Sequence, residues 1–128
     1  MAPSDYAHNP EKLGNVVYGG RLGNSGPDDG YTYRGRGLLQ LTGKGSYQQI
    51  TQILQGDYPE APDFVASPDE VIGAQWSLAV AAAIWNSKGC NAFADNDDIE
   101  SVTKAINGGL IGLNERIECL EKTKATWI

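Results

Sequence analysis

The glycine distribution of residues 20–44 limits the fold of this chain more than any other feature. Seven glycines fall in this stretch, at positions 20, 23, 26, 30, 35, 37 and 43. Each one makes a continuous helix or strand less favourable, because glycine loses more backbone entropy on folding than any other residue. We therefore expect a long irregular segment here, between regular elements on both sides.

The flanking regions carry the apolar spacing and end signals of helices. Pro10 is placed to begin the first helix, with Asn9 as its N-cap, and Gly19-Gly20 ends it. Four further helices are predicted. The first is Ser46–Gln55, and the second is an apolar helix that starts with a capping box at Ser67–Glu70 and runs to about Gly89. The third is capped by Asp95–Asp98 and ends at Gly108, and the fourth begins at about Leu113. The sequence predicts a mainly α protein with a single domain over residues 1–128.

Composition and charge exclude several classes of function. The net charge is −6, and residues 45–128 hold twelve acids against five Lys and Arg, so no extended basic face for nucleic acid is expected. The longest apolar run, Leu78–Trp85, is too short to span a membrane. Cys90 and Cys119 have no close Cys or His that would suggest zinc, and we expect two free, largely buried thiols. Neither a metal nor a cofactor is expected.

Two ordered segments carry a resemblance to a known family. Val16–Asn24 and Asp29–Tyr47 are similar to the signature of family 19 glycoside hydrolases, the plant-type chitinases and related phage endolysins. That signature runs roughly Y-x-x-R-x-G-N, then G-D-G-x-x-Y-R-G-R-G-x-[IL]-Q-L-[ST]-G-x-x-N-Y. The later segments W-x-x-K-G-C from Trp85 and I-N-G-G from Ile106 follow in the family's order. The resemblance covers about residues 5–125 and implies a lysozyme-like helical domain.

The resemblance also implies roles for individual residues. Thr42 would hold the water that attacks the sugar. Substrate binding would fall to Tyr33 and Tyr47 as stacking rings, Gln40 at the floor of the cleft, Asn107 on a sugar N-acetyl or hydroxyl group, and Arg116 in a charge network. Structural roles would fall to Gly35, Gly37, Gly43 and Arg36, the last as an internal salt-bridge partner. Two alternatives stay open. Gly35 and Gly37 either form turns or allow a sugar to approach the backbone, and Tyr47 and Asn107 either bind substrate or have structural roles.

The family's reaction is inverting hydrolysis of a β-1,4 bond next to an N-acetylated sugar, and it needs one acid and one base. The resemblance places the acid in a His-Glu-[Ser/Thr]-Gly-Gly segment and the base in an E-N-x-x-Y-like segment, both before the first signature segment. Residues 1–128 contain neither, and the carboxylates before Tyr18 are Asp5 and Glu11. We therefore expect the C-terminal part of such a domain: a truncated gene, an internal-start product or half of a split enzyme.

Three functions are compatible with this pattern, and whether the chain is an enzyme stays open. The first is a cell-wall lysis protein directed at peptidoglycan or a chitin-like glycan. Met1–Ala7 has no charged start and no apolar stretch, so such a protein would be cytoplasmic as made and would act at the wall after release. The second is a non-catalytic binding or regulatory protein that docks onto or inhibits a partner. The third is a catalyst that uses other carboxylates, such as Glu115.

A protein partner is also expected from the apolar helix. Without the family's N-terminal helices, few elements remain to cover Trp76, Val80, Ile84 and Trp85. An uncovered apolar patch of this kind usually marks an interface. The sequence therefore predicts a homodimer or a protein partner bound through this helix.

Overall fold

The computed structural model describes residue 4 and residues 6–127. This part of the chain contains seven α-helices: α1 (Pro10–Tyr18), α2 (Asp29–Thr32), α3 (Lys44–Asp57), α4 (Ser77–Ser87), α5 (Cys90–Asp95), α6 (Ile99–Asn107) and α7 (Leu113–Trp127). A short 3-10 helix covers Pro68–Ile72, and the β pairing is one isolated bridge between Arg36 and Leu41. The predicted mainly α class is confirmed, and the loop predicted over residues 20–44 is present except where the four-residue helix α2 interrupts it. The expectations for Asp5 and for most of Met1–Ala7 lie outside the described residues.

The chain divides into two compact units, Met1–Ile84 and Trp85–Ile128. The first contains α1 to α3, the 3-10 helix and most of α4. The second contains the end of α4 and helices α5 to α7. A single domain over residues 1–128 stays a prediction.

The ends of α1 and α6 form where local signals predict them. The Asn9 side chain accepts a hydrogen bond from the Lys12 N–H at 3.1 Å, which caps α1, and Gly19 ends that helix. Asp98 caps α6 by accepting from the Ser101 N–H at 3.0 Å. Gly108 ends α6 with a left-handed φ of 73°. These four end signals are confirmed.

The continuous apolar helix predicted from Ser67 to Gly89 is wrong. Residues Pro68–Ile72 form a 3-10 helix, Ser67 makes no side-chain capping hydrogen bond, and Gly73 is extended with φ −66° and ψ 146°. Helix α4 begins only at Ser77. The next helix, α5, was not predicted. It follows Gly89, whose backbone is in the left-handed region.

The core of the first unit surrounds α3. Tyr47, Phe64 and Val71 have no exposed surface. Thr51 joins the connector after α3 to that helix, since its hydroxyl donates to the Tyr47 carbonyl at 2.8 Å and accepts from the Phe64 N–H at 3.0 Å. Burying a side chain of this size stabilises the fold by about 1.5–3 kcal/mol relative to leaving it exposed.

The expected apolar patch on the central helix does not form at the predicted residues. Trp76, Val80 and Ile84 are buried and Trp85 is half-buried, while Leu78 on α4 is 72% exposed. The expectation of two buried thiols is also wrong for one of them, because Cys90 is buried and Cys119 is exposed. Burial raises the pKa of the Cys90 thiol. No helix among residues 6–127 is long and apolar enough to cross a membrane.

Candidate functional site

A small hairpin in the glycine-rich loop positions the candidate site. Arg36 and Leu41 exchange two backbone hydrogen bonds, of 3.1 and 2.8 Å, across a turn closed by Gly37 and Gln40. Both turn residues have positive φ, 87° for Gly37 and 53° for Gln40. The second value is unusual for a residue with a side chain and costs free energy. The hairpin therefore holds Gln40 in a fixed and somewhat strained position.

Thr42, Gln40 and Gly35 lie side by side at the edge of this hairpin. The Thr42 hydroxyl donates to the Gln40 carbonyl at 3.0 Å. A Cβ added to Gly35 would lie 2.5 Å from Gln40 Oε1 and 3.1 Å from Thr42 Oγ1. Thr42 is half-buried and Gln40 is exposed. A hydroxyl that donates once keeps two lone pairs, so Thr42 can accept a hydrogen bond from a water or a sugar hydroxyl.

The two tyrosines predicted as stacking rings lie in the core instead. Tyr33 is 6% exposed and Tyr47 is fully buried, and their rings contact edge to face with centroids 5.2 Å apart. The Tyr33 hydroxyl donates to the Val65 carbonyl at 3.0 Å. Neither ring offers a face to a sugar, so the stacking role is wrong, and the alternative, a structural role for Tyr47, fits the geometry. Both rings support the loop from inside.

Tyr47 and Arg36 form the polar centre of that support. The Tyr47 hydroxyl donates to the Arg34 carbonyl at 2.7 Å and accepts from Arg36 Nη1 at 2.9 Å. Arg36 also donates to the Thr32 carbonyl at 2.6 Å and pairs with Asp69 Oδ1 at 3.1 Å. Burial raises the pKa of Tyr47, although the neighbouring Arg36 opposes this. Arg36 is thus a buried salt-bridge partner, as predicted, but its carboxylate, Asp69, is exposed. It joins the loop to α3 and the 3-10 helix.

Gly37 and Gly43 have structural roles as well. Gly43 has a φ of 90°, and a Cβ there would lie 2.4 Å from the Cβ of Leu22. A Cβ on Gly37 would lie 3.2 Å from Cγ1 of Val71. At both positions the chain needs positive φ and close packing together, which only glycine allows without strain. The turn-forming alternative therefore fits Gly37 better than sugar approach.

Two residues without a predicted role organise the loop. Asn24 is 1% exposed, and its side chain donates to the Tyr18 carbonyl at 3.1 Å and accepts from the Lys44 N–H at 2.8 Å. Asp29 accepts from the Gly26 N–H at 2.8 Å and lies 3.7 Å from the Lys44 ammonium. Asn24 is the last residue of the Y-x-x-R-x-G-N segment, and this position is the sequence signal that could have indicated its role.

Asn107 and Arg116 belong to the second unit and are described with it. The exposed Asn107 side chain donates to the Ile111 carbonyl at 2.9 Å and closes the turn after α6. Arg116 is half-buried and lines an open cavity of about 300 Å³. Glu11 and Glu115, the two described carboxylates considered as alternative acids, are both exposed. Among the described residues, no three His, Cys, Asp or Glu side chains come close enough to hold a metal ion.

Comparison with curated proteins finds sequence relatives of this chain. No family model matches the sequence. The chain is 40% identical over 118 residues to a curated protein of Haemophilus influenzae named "Glycosyl hydrolase family 19 domain-containing protein". The chain is related to this family 19 protein. The matched region is 91% of this chain and 54% of the relative, so the chain spans about half the length of the curated protein.

This family 19 relationship agrees with the resemblance carried by Val16–Asn24 and Asp29–Tyr47. An identity of 40% over 118 residues also extends well beyond those two segments. The relationship to a protein named for its family 19 domain is therefore shown, while the phage endolysin branch, the glycan and the roles of individual side chains remain predictions.

Proposed function

We propose that this chain forms the substrate-contacting floor of a family 19-type cell-wall lysis protein directed at peptidoglycan or a chitin-like glycan. The observation that supports this most strongly is the cluster of Thr42, Gln40 and Gly35. It combines a hydroxyl with free lone pairs, an exposed amide and a residue without a side chain at one edge of a fixed hairpin. These are the groups that recognise sugar hydroxyl and N-acetyl groups.

We further propose that residues 1–128 alone bind glycan without hydrolysing it. Inverting hydrolysis needs two carboxyl groups about 6.5–9.5 Å apart on either side of the bond. The loop's own half-buried carboxylate, Asp29, is engaged by two backbone N–H groups, of Ser25 and Gly26, and by Lys44. A carboxylate held in this way acts as a structural acceptor and is poorly placed to exchange protons with a substrate.

Binding should be weak, because the hairpin contacts only one side of a sugar chain. Each direct hydrogen bond contributes about 0.5–1.5 kcal/mol net, and association costs several kcal/mol. The buried tyrosine rings add no stacking. We expect a dissociation constant on the order of 0.1–10 mM. A wall polymer presents many closely spaced sites, so rebinding increases the fraction of the chain that the polymer retains.

Co-sedimentation with insoluble peptidoglycan and with chitin tests this proposal. Gln40→Ala removes the exposed amide and should reduce the retained fraction severalfold. Gln48→Ala, an exposed glutamine on α3, is the matched control and should be retained like the parent. Equal retention of both variants on both polymers, or no retention of the parent, would contradict a glycan site at this hairpin.

A second candidate function, a binding protein that docks onto a partner, is favoured by the orientation of α1. Asn15 Oδ1 accepts from the Tyr31 N–H at 2.8 Å, and Gly14 packs against Tyr31, so the polar side of α1 faces α2. The apolar stripe, Leu13, Val16 and Val17, is 42–47% exposed. An outward apolar stripe is typical of an interface. We therefore propose the apolar stripe of α1 as the partner surface, in place of the residues of the apolar helix predicted from the sequence.

Light scattering tests the homodimer that this surface would support. The parent chain should show a concentration-dependent mass above that of a monomer, and Val16→Glu should return it to the monomer. Lys12→Glu, an exposed change on the same helix outside the stripe, is the control for charge alone. A monomeric parent at high micromolar concentration would leave a different protein as the partner and would contradict the homodimer.

A further inference from the structure

The second unit contains an open cavity of about 300 Å³ whose lining includes no residue of the hairpin proposed to bind glycan. Its walls come from the end of α4, from α6 and from α7, and they include Trp85, Val102 and Leu120. The Trp85 indole is held in place because its N–H donates to Asn91 Oδ1 at 2.8 Å. A fixed ring beside aliphatic side chains forms a ready surface for an apolar group.

The charged groups at the rim differ in whether they have partners. Asp97 is paired with the Lys124 ammonium at 2.6 Å. Asp98 caps α6, and its hydrogen bonds from Ser101 lower its pKa, so this carboxylate is directed to the helix start. The Arg116 guanidinium lines the same cavity. Among the described residues its side chain makes no hydrogen bond or ion pair, and its electrostatic neighbour is the buried Cys90 thiol. Arg116 is therefore the cation available to a ligand.

We propose that this cavity binds a ligand with a small apolar body and a terminal carboxylate. The guanidinium pairs with a carboxylate through two parallel hydrogen bonds, and the indole and aliphatic walls accept the body. The volume is at the lower end of ligand pockets, which suits a phenyl-sized group or two alanine residues. This chemistry has two sources, a free aromatic acid or the C-terminal end of an alanine-rich peptide. The site is additional to the proposed glycan function.

The experiment follows the indole N–H signals of the intact chain by NMR during titration. Three tryptophans give three such signals, and the Trp85→Phe variant assigns the one of interest. The probes are 3-phenylpropionate and N-acetyl-alanyl-alanine, each compared with its neutral amide. We expect a saturable shift of the Trp85 signal by at least one acid, and binding roughly three- to tenfold weaker for the matching amide. The tighter of the two acids identifies the source.

Two variants connect the effect to the cavity. Arg116→Gln should reduce the affinity of the acid to that of its amide, whereas Arg21→Gln, an exposed arginine of the first unit, should leave it unchanged. Ala94→Leu places extra bulk at the cavity wall and should abolish binding of both probes while Arg116 is intact. Equal binding of acid and amide by the parent, unchanged binding by Ala94→Leu, or no saturable shift up to about 10 mM of either acid would overturn the proposal. Glycan retention at the hairpin is measured separately, so either site can fail alone.

Discussion

At the scale of single residues, Tyr47 shows how the loop is supported. It has no exposed surface, and its hydroxyl connects the Arg34 carbonyl with the Arg36 guanidinium. The same residue types serve as sugar-stacking rings in a cleft and as buried rings in a core, so sequence alone left both roles open. The choice depends on contacts distant in sequence, such as the hydrogen bond from the Tyr33 hydroxyl to the Val65 carbonyl.

Tyr47→Phe should destabilise the fold by about 1–3 kcal/mol, because the Arg34 carbonyl and one N–H of the Arg36 guanidinium lose their bond to the hydroxyl. Tyr47→Ala should cost about 3–5 kcal/mol through the cavity it creates. Urea unfolding followed by circular dichroism measures both. Tyr58→Phe is the control, since Tyr58 is 48% exposed and should change stability by less than about 0.5 kcal/mol. A Tyr47→Ala chain as stable as the parent would contradict the buried position.

The raised pKa of Tyr47 also gives the stability a pH dependence. Burial raises the pKa of the folded Tyr47 above its ordinary value of 10.0, so the folded chain holds this proton more tightly than the unfolded chain. The contribution is therefore complete below pH 10 and is lost as pH rises through the folded pKa. Urea midpoints measured above pH 10 should decline less steeply in Tyr47→Phe than in the parent. Parallel curves for the two chains would contradict this assignment.

Substitution of two glycines should have opposite effects on stability, because one glycine is needed for its positive φ and the other only weakens a helix. Gly43→Ala should destabilise the chain by more than about 1 kcal/mol, because φ is 90° and the added Cβ would meet Leu22. Gly56→Ala should stabilise it by about 0.5–1 kcal/mol, because Gly56 lies within α3 and a Cβ there meets nothing within 4 Å. Thermal melts of both variants test the contrast. Two changes of the same sign would contradict it.

At the scale of elements, the sequence predicts helix ends well and helix continuity poorly. Asn9, Gly19, Asp98 and Gly108 act through hydrogen bonds within one turn, so their effect is visible in the local sequence. The break at Gly73 has a distant cause in addition to the glycine. Val71 is fully buried and packs beside Gly37, while Asp69 pairs with Arg36, so the loop holds the 3-10 helix in place. The spacing of apolar residues along a helix gives no information about such a distant contact, so the break could not be predicted from it.

Asn24 joins two elements, and its removal should loosen both. Its side chain satisfies the Tyr18 carbonyl at the end of α1 and the Lys44 N–H at the start of α3. Asn24→Ala should cost about 1–3 kcal/mol, since both backbone groups lose a buried partner. Asn86→Ala, an exposed asparagine on α4, is the matched control. Hydrogen exchange should show faster exchange of the Lys44 amide in Asn24→Ala alone, and unchanged exchange there would contradict the proposed link.

At the scale of the whole molecule, the signature segments predicted both the helical class and the relationship to a family 19 protein. They could not predict which signature residues reach the surface. Of the five residues expected to bind substrate, Tyr33 and Tyr47 lie in the core, and Asn107 uses its amide to close a turn. The signature reflects folding of the loop as much as chemistry, which leaves the exposed Gln40 and the half-buried Thr42 as the loop's candidates for glycan contact.

The most direct test of the central claim is an NMR titration of the 128-residue chain with a hexamer of N-acetylglucosamine, with products analysed from the same tube. Backbone signals of residues 35–42 should shift saturably, with a dissociation constant on the order of 0.1–10 mM. The hexamer should remain intact, because an acid–base pair is worth roughly 10²–10⁴-fold in rate per group. Shifts confined to α1, or cleavage of the hexamer by the purified chain, would contradict the account.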